Sequence, residues 1–222
     1  MEKLLNEDVI KQLNDVFAEL KEPVTVLYFG KESDCEHCDT TQQLAEEVTS
    51  LSELLHFAEY DIETDSEIAS HYNVDRTPGL VITAKNNGEL TDYGVRYSGV
   101  PAGHEFTSLV HDIINVSKRQ TTLSEETREF LQGLTEPVHM QVFVTPTCPY
   151  CPQAVVLAHQ MAMESPMITA EMVEATEFPE LSMRFNVSGV PQTTINDGAA
   201  TVIGAAPEIQ MVSEIQKALG LN

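Results

Sequence analysis

The apolar positions of the chain alternate between the period of an amphipathic helix and that of a strand, and the resulting series of elements occurs twice. Each half is predicted to have a leading helix, a strand, a helix, a second strand, a short helix, a hairpin and a last helix. The main predicted elements of the first half are a helix over 5–20, a strand over 24–29, a helix over 44–51, a strand over 55–62, a hairpin over 79–97 and a helix over 106–114.

The second half repeats this order with a shorter leading helix, for which Thr122 and Glu125 fit a capping box. After that helix, both halves have the order β-α-β-α-β-β-α, which is an α/β arrangement. The main predicted elements of the second half are a helix over 123–134, a strand over 138–144, a helix over 155–163, a strand over 168–173, a hairpin turn at 196–198 and a helix over 209–219.

A constant spacing indicates that the two halves are copies of one unit. Cys148 follows Cys35 by 113 residues, and Pro191 follows Pro78 by the same 113 residues. An asparagine–valine step before each proline and an isoleucine after it keep this register. We therefore expect two domains, residues 1–118 and 119–222, with the boundary near the polar stretch 117–121.

The charge of the chain narrows the choice of partners. The 222 residues have a net charge of −23, with 8 basic against 23 acidic residues in 1–118 and 4 against 12 in 119–222. Such a surface repels phosphate, so nucleic acid and anionic membrane surfaces are poor partners. The first residues lack the basic and apolar regions of a signal peptide, and we expect a cytoplasmic protein. The few lysines favour the hypothesis of salt adaptation over heat adaptation.

The four cysteines form two C-x-x-C pairs, Cys35 with Cys38 and Cys148 with Cys151. The pairs lie too far apart in sequence for a zinc ribbon, whose pairs are separated by roughly 15–20 residues. Pairs that are distant in sequence can still meet in space, so a zinc site stays open as an alternative, as does a static bridge at a helix start. The favoured interpretation is a dithiol that exchanges electrons, used twice.

These residues together resemble the thioredoxin fold. The sequence Cys148-Pro149-Tyr150-Cys151 is similar to the glutaredoxin motif, and Thr77-Pro78 and Val190-Pro191 stand where that fold has its cis-proline loop. The whole chain is similar to the tandem protein disulfide oxidoreductases, also called glutaredoxin-like proteins.

This resemblance implies two tandem thioredoxin-like folds, each with a central mixed four-stranded sheet flanked by helices. It also implies a thiol–disulfide oxidoreductase that reduces, forms or isomerises protein disulfides, without a metal or a bound organic cofactor. Its partners would be protein disulfides or dithiols and a flavoenzyme similar to thioredoxin reductase.

The chemistry of exchange assigns a role to each cysteine. A cysteine at a helix N-terminus is stabilised as a thiolate by unpaired backbone N–H groups, and a thiol three residues later can close the ring. We therefore expect Cys35 and Cys148 to be the nucleophiles and Cys38 and Cys151 the resolving thiols.

If the bonds before the two prolines are cis, Thr77, Pro78, Val190 and Pro191 would lie opposite the cysteines and bind a substrate strand. The alternative is an ordinary turn proline in each loop.

The residues between the cysteines predict that the two centres differ. Glu36 and three neighbouring acids oppose a thiolate at Cys35, whereas His37 would favour it if charged; the alternative for His37 is a solvated helix residue. Pro149 and Tyr150 belong to a stretch without formal charge, 145–153. Tyr150 either contacts substrate or is an exposed aromatic. We expect Cys148 to be the more acidic and faster thiol.

Several features depart from familiar relatives. The glycine pair and acidic residue of glutathione-binding glutaredoxins are poorly matched, which puts glutathione in doubt as a co-substrate. The buried aspartate of thioredoxins is also missing, because Phe29 and Phe143 lie on the strands before the motifs. An electron-delivery protein for a peroxiredoxin is a further alternative, although such modules generally keep only one working pair.

Overall fold

The structure is a computed structural model, and it describes residues 3–221 of the chain. The strands are β1 (Val24–Gly30), β2 (Leu55–Asp61), β3 (Gly79–Asn86), β4 (Glu89–Ser98), β5 (Val138–Val144), β6 (Ile168–Glu174), β7 (Gln192–Ile195) and β8 (Ala200–Ile203). The helices are α1 (Glu7–Phe17), α2 (Cys38–Thr49), α3 (Ser66–His71), α4 (Glu105–Lys118), α5 (Glu125–Gln132), α6 (Cys151–Glu164), α7 (Pro179–Arg184) and α8 (Glu208–Ala218).

Each half forms the predicted mixed four-stranded sheet. In the first half β1 pairs parallel with β2 and antiparallel with β3, and β3 pairs antiparallel with β4. In the second half β5, β6, β7 and β8 repeat this pattern. The expectation of two tandem thioredoxin-like folds is therefore confirmed.

The two sheets are joined into one, which the sequence pattern did not predict. The strand order is β2-β1-β3-β4-β6-β5-β7-β8, and β4 pairs parallel with β6 from Val95 opposite Ala170 to Ser98 opposite Val173. A sheet edge presents unpaired N–H and C=O groups, and this pairing covers one edge of each half. We refer to the β4–β6 boundary as the seam.

A buried carboxylate stabilises the seam. Glu171 on β6 is 8% exposed and receives hydrogen bonds from Arg76, Ser98 and Gln141 at 2.5–2.8 Å. Burial alone would raise the pKa of Glu171, but hydrogen bonding to His139, the charge of Arg76 and the bonds from Ser98 and Gln141 lower it to about 2. The carboxylate therefore stays charged and links the two halves through Arg76 and Ser98.

The apolar core also runs through the seam. One continuous cluster of buried side chains includes Leu109 and Ile113 of α4 together with Leu131 of α5 and Met161 of α6. Helices α4 and α6 belong to different halves and pack against each other. The two halves thus share packing as well as a sheet.

Two local expectations need correction. The cap of α5 is Ser124, whose side chain accepts from the N–H of Thr127, whereas Thr122 bonds with its hydroxyl and backbone to Gln160. The predicted capping box is therefore wrong, since a serine closer to the helix takes the position. The polar stretch 117–121 is not all linker, because α4 continues through Ser117 to Lys118.

No helix among residues 3–221 has both the length and the apolar character needed to cross a membrane.

Candidate active sites

The first centre lies where β1 leads into α2. Cys35 and Cys38 form a disulfide with their Cα atoms 5.4 Å apart, and α2 begins at Cys38. Cys38 is 5% exposed, whereas Cys35 is partly exposed. The hydroxyl of Tyr28 donates to the carbonyl of Cys38 at 3.1 Å. Burial, with smaller effects from nearby acids, raises the pKa of Tyr28 to about 12, so it remains a neutral donor.

The second centre repeats this geometry at the start of α6. Cys148 and Cys151 form a disulfide with a Cα separation of 5.5 Å, and α6 begins at Cys151. Cys151 is fully buried and Cys148 is 8% exposed. Pro149 is exposed, and Tyr150 has 68% of its surface exposed, so its ring can contact another molecule.

In both centres the first cysteine is the more accessible of the pair. Each lies just before the first turn of a helix, where backbone N–H groups have no partner inside the helix. The positive end of the helix dipole favours a thiolate at this place. The arrangement can open a substrate disulfide with the outer sulfur while the inner sulfur stays protected.

The two proline loops have matching backbones. The bonds Thr77–Pro78 and Val190–Pro191 are both cis. The carbonyl of Pro78 accepts from the N–H of Gly99 at 2.9 Å, and the carbonyl of Pro191 accepts from Gly204 at 2.8 Å. Thr77 and Val190 are partly buried and Pro78 and Pro191 are buried. The same loop is thus built in both halves.

The charges around the two centres differ as the sequence predicts. Four exposed acids lie beside the first cysteine pair: Glu32, Asp34, Glu36 and Asp39. Around the second pair, residues 145–153 carry no formal charge. His37 is partly buried at the position that precedes α2. Among residues 3–221, no group of three or more His, Cys, Asp and Glu side chains could hold a metal ion.

Glu105 is a buried acid that the sequence analysis missed. It begins α4 and is 1% exposed, and the N–H of the preceding residue, His104, donates to the carbonyl of Pro146, two residues before Cys148. Burial raises the pKa of Glu105 to about 7, although the hydroxyl of Ser108 and the charge of His159 act in the opposite direction. The backbone next to this acid of the first half thus contacts the loop that precedes the second centre.

Behind Glu105, three buried polar side chains form a network between α4 and α6. Nδ1 of His159 lies 2.5 Å from Asp112, Nε2 lies 3.1 Å from the carbonyl of Arg96, and Tyr97 donates to the same Asp112. Both ring nitrogens of His159 thus have a partner inside the protein. His159 is fully buried in this network, where it links α6 to Asp112 of α4 and to the backbone of β4.

A signal for these acids was present in the helical period. Glu105 and Asp112 lie two turns apart on the stripe of α4 that also contains Leu109 and Val116, and all four are buried. Acidic residues on an apolar stripe are rarely left unpaired. That pattern could have marked Glu105 and Asp112 before the structure was known.

Comparison with known proteins agrees with this geometry. The thioredoxin domain family matches residues 138–217. The structure of a protein disulfide oxidoreductase from Aeropyrum pernix is 33% identical, with a TM-score of 0.88, and the alignment covers 98% of this chain and 96% of that one. The alkyl hydroperoxide reductase component AhpF from Enterococcus faecalis is 28% identical with a TM-score of 0.87, covering 96% of this chain and 100% of that one.

The same reductase component is also similar by sequence in other bacteria. The protein from Staphylococcus aureus is 30% identical over 193 residues, which is 87% of this chain and 34% of the relative. Its counterpart from Staphylococcus epidermidis is 34% identical over 131 residues, which is 57% of this chain and 25% of the relative. The chain thus spans a quarter to a third of the length of these curated relatives.

The relative from Aeropyrum pernix matches along nearly its whole length, and the two disulfides at helix starts provide the chemistry. The centres consist of the chain's own cysteines, whose sulfurs have the arrangement that thiol–disulfide exchange requires. The chain belongs to the tandem thioredoxin-fold protein disulfide oxidoreductases.

Proposed function

We propose that the chain exchanges disulfides with other proteins at both centres, with Cys35 and Cys148 as the nucleophiles. The observation that supports this most directly is the exposure of the first cysteine relative to the second in each pair. Cys38 and Cys151 then act as resolving thiols. The two domains would be residues 1–118 and 119–222, each holding one centre.

In the direction of reduction, the thiolate of Cys148 attacks one sulfur of the substrate disulfide. The other substrate sulfur leaves and takes up a proton, and a mixed disulfide remains. Cys151 loses its proton and attacks the sulfur of Cys148, which releases the second substrate thiol and closes the Cys148–Cys151 bridge. Two electrons pass from the dithiol to the substrate. Cys35 and Cys38 perform the same steps in the first centre.

The proline loops would hold the substrate strand beside each outer sulfur. Thr77 and Val190 offer backbone groups next to Pro78 and Pro191, and Tyr150 adds an exposed ring at the second centre. Main-chain pairing gives affinity for many sequences, which suits an enzyme that acts on protein disulfides. We include Glu36, His37 and Pro149 as residues that modulate the two sulfurs.

Glu105 would handle protons for the second centre. A carboxyl whose pKa lies near neutrality can both accept and return a proton at cellular pH. It would replace the aspartate that the strands before the motifs lack. Its position on the first half makes the second centre dependent on the seam.

We propose further that the enzyme works in the cytoplasm with no metal or bound organic cofactor. The two disulfides support the second part of this proposal, because their sulfurs can carry the electrons without another group. The net charge of −23 favours protein partners over anionic membrane surfaces. Electrons would come from a flavoenzyme similar to thioredoxin reductase.

Alkylation of the reduced protein tests the assignment of nucleophiles. We expect iodoacetamide to modify Cys35 and Cys148 before Cys38 and Cys151, and to modify Cys148 faster than Cys35 at pH 7. The greater solvent exposure of Cys35 favours its reaction. The thiolate fraction, however, depends exponentially on the electrostatic energy of the thiolate, and the second centre lacks the carboxylates that surround the first. Mass spectrometry of partially alkylated peptides measures both comparisons. Faster reaction of Cys38 or Cys151 would contradict the roles, and faster reaction of Cys35 than of Cys148 would contradict the electrostatic explanation.

A second candidate function is electron delivery to a peroxiredoxin. The similarity to the alkyl hydroperoxide reductase component AhpF favours it. Its test is a coupled assay in which the reduced chain is the only electron source for a peroxiredoxin and peroxide consumption is followed. Turnover would support this role, and a lack of turnover would leave general disulfide exchange.

A further inference from the structure

A carboxyl group from the second half of the chain reaches the first centre across the seam. Glu177 lies between β6 and α7, and its Oε1 accepts from the N–H of Val100 at 2.8 Å. The preceding residue, Gly99, donates its N–H to the carbonyl of Pro78 at 2.9 Å. Glu177 is therefore tied to the segment that supports the proline loop of the first centre.

The fit around Gly99 leaves no room for a side chain there. Gly99 has a φ of +92°, and a Cβ at this position would lie 2.7 Å from Cβ of Glu174 and 3.0 Å from Oε1 of Glu177. The two glutamates thus press directly on the Gly99–Val100 backbone. Such a close approach needs glycine both for its conformation and for its size.

The two glutamates are only partly satisfied. Glu174 is 2% exposed, and its Oε2 accepts from the N–H of Glu177 and from the hydroxyl of Thr176, both at 2.6 Å. Oε1 of Glu174 and Oε2 of Glu177 are buried without a hydrogen-bond partner. Buried oxygens of this kind are uncommon in folded proteins and often mark a group that works rather than one that only holds the fold.

The charges that face Glu177 include both residues between Cys35 and Cys38. Burial raises the pKa of Glu177 most, the N–H of Val100 and the charge of His37 lower it, and Glu174 and Glu36 raise it further. On the next residue, the ring of Phe178 lies 5.9 Å from the guanidinium of Arg76, which is paired with Glu171. Glu177 therefore stands in the electrostatic field of the C-x-x-C motif of the other half.

We propose that Glu177 is a positioning residue for the first centre, and that its charge tunes the stability of the Cys35 thiolate. When ionised, Glu177 adds one more carboxylate to those that oppose a thiolate at Cys35. When protonated, it no longer contributes that negative charge, and the exposed acids and His37 remain beside Cys35. The first centre is thus a better nucleophile when Glu177 is neutral, and its reactivity depends on a residue of the second half.

This inference rests on the proposed nucleophilic role of Cys35, and its test separates the two. The protein used is the full chain with Cys148→Ser and Cys151→Ser, so that only the first centre reacts. The rate of iodoacetamide alkylation of reduced Cys35 is measured from pH 4 to pH 10. Glu177→Gln is compared with Glu180→Gln, a matched change at an exposed acid in the first turn of α7.

We expect Glu177→Gln to increase the rate at pH 7 about threefold, as for a thiol whose pKa falls by about half a unit. Glu180→Gln should leave the rate unchanged. With Glu177 present, the profile should show an extra inflection above pH 4.5, and this inflection should vanish in Glu177→Gln. Equal rates for all three proteins, or equal increases in both variants, would overturn the inference while Cys35 remains the nucleophile.

Two further measurements complete the test. The inflection is sought in the protein with native Glu177, so that result does not depend on whether Glu177→Gln folds; a single inflection would overturn the inference. In a chain with Cys35→Ser and Cys38→Ser, Glu177→Gln should leave the alkylation rate of Cys148 unchanged. An equal increase in the rate at Cys148 would indicate a general change in the fold and would overturn the inference. If Cys35 is not alkylated in preference to Cys38 at all, the proposed function itself fails.

Discussion

We expect the protein to catalyse the reduction of insulin by dithiothreitol, and replacing Cys35 and Cys148 together by serine to abolish this catalysis. The rate should fall about a hundredfold or more, to that of the uncatalysed reaction, because a serine hydroxyl is not an anion at neutral pH and cannot form the mixed disulfide. The measurement is the turbidity of precipitating insulin chains at equal protein concentrations.

The single replacements define what each centre contributes. Cys35→Ser and Cys148→Ser should each leave an active centre and therefore part of the rate, with the larger loss in Cys148→Ser. Thr147→Ser, at the exposed residue next to Cys148, is the control and should keep full activity. A double variant that still reduces insulin above the uncatalysed rate would show that the cysteines are not the catalytic groups.

Replacing Glu105 by glutamine is expected to stabilise the oxidised protein at pH 8 by about 3 kcal/mol and to change little at pH 4. Burial raises the pKa of Glu105 from 4.5 to about 7. Below pH 4.5 the carboxyl is neutral in the folded and unfolded chain, so its titration does not affect stability. Between pH 4.5 and about 7 the carboxyl ionises in the unfolded chain but stays protonated in the folded one. Folding must therefore take up a proton, or at higher pH bury a charge, and either costs free energy.

Glutamine has the size of glutamate and can still accept from Ser108, but it does not ionise. Urea unfolding at pH 4 and pH 8 measures the difference. Glu53→Gln, at an exposed acid between α2 and β2, is the matched control and should shift the free energy of unfolding by less than about 0.5 kcal/mol at either pH. A Glu105 variant that is no more stable than the parent at pH 8 would show that burial does not raise the pKa of this carboxyl.

Most of the fold could be predicted from the sequence because each half is specified by local patterns. The spacing of apolar residues located the strands, as at β5, and the common offset of the cysteines and prolines aligned the two halves. The same offset placed Cys35 and Cys148 before helices and Pro78 and Pro191 in matching loops. These features are determined by residues that are close in sequence, and the repeat provides two independent copies of each pattern.

The seam could not be predicted, because its contacts join residues far apart in sequence. Ser98 bonds to Glu171 over 73 positions, and Val100 bonds to Glu177 over 77. No period along the chain shows that β4 pairs with β6, nor that a short loop after β6 points toward the other half. Glu105 begins α4, which packs against α6 of the other half, and Glu177 bonds across to Val100.

The difference between local patterns and long-range contacts matters for function. The sequence motifs describe two similar centres, and we propose that each also depends on a residue of the other half. The residue before Glu105 bonds to the loop that precedes the second centre, and Glu177 bonds to the segment that supports the proline loop of the first. We therefore expect either half alone to have altered reactivity even if its own motif is intact.

Counting the electrons that the reduced protein delivers shows whether one chain holds two working centres. The fully reduced protein is freed of dithiothreitol and mixed with an excess of insulin, and the insulin thiols formed per chain are measured. We expect two insulin disulfides to be reduced per chain, and one per chain after either Cys35→Ser or Cys148→Ser. A value of one for the unaltered protein would contradict this expectation, because one of the two pairs would then be a static bridge.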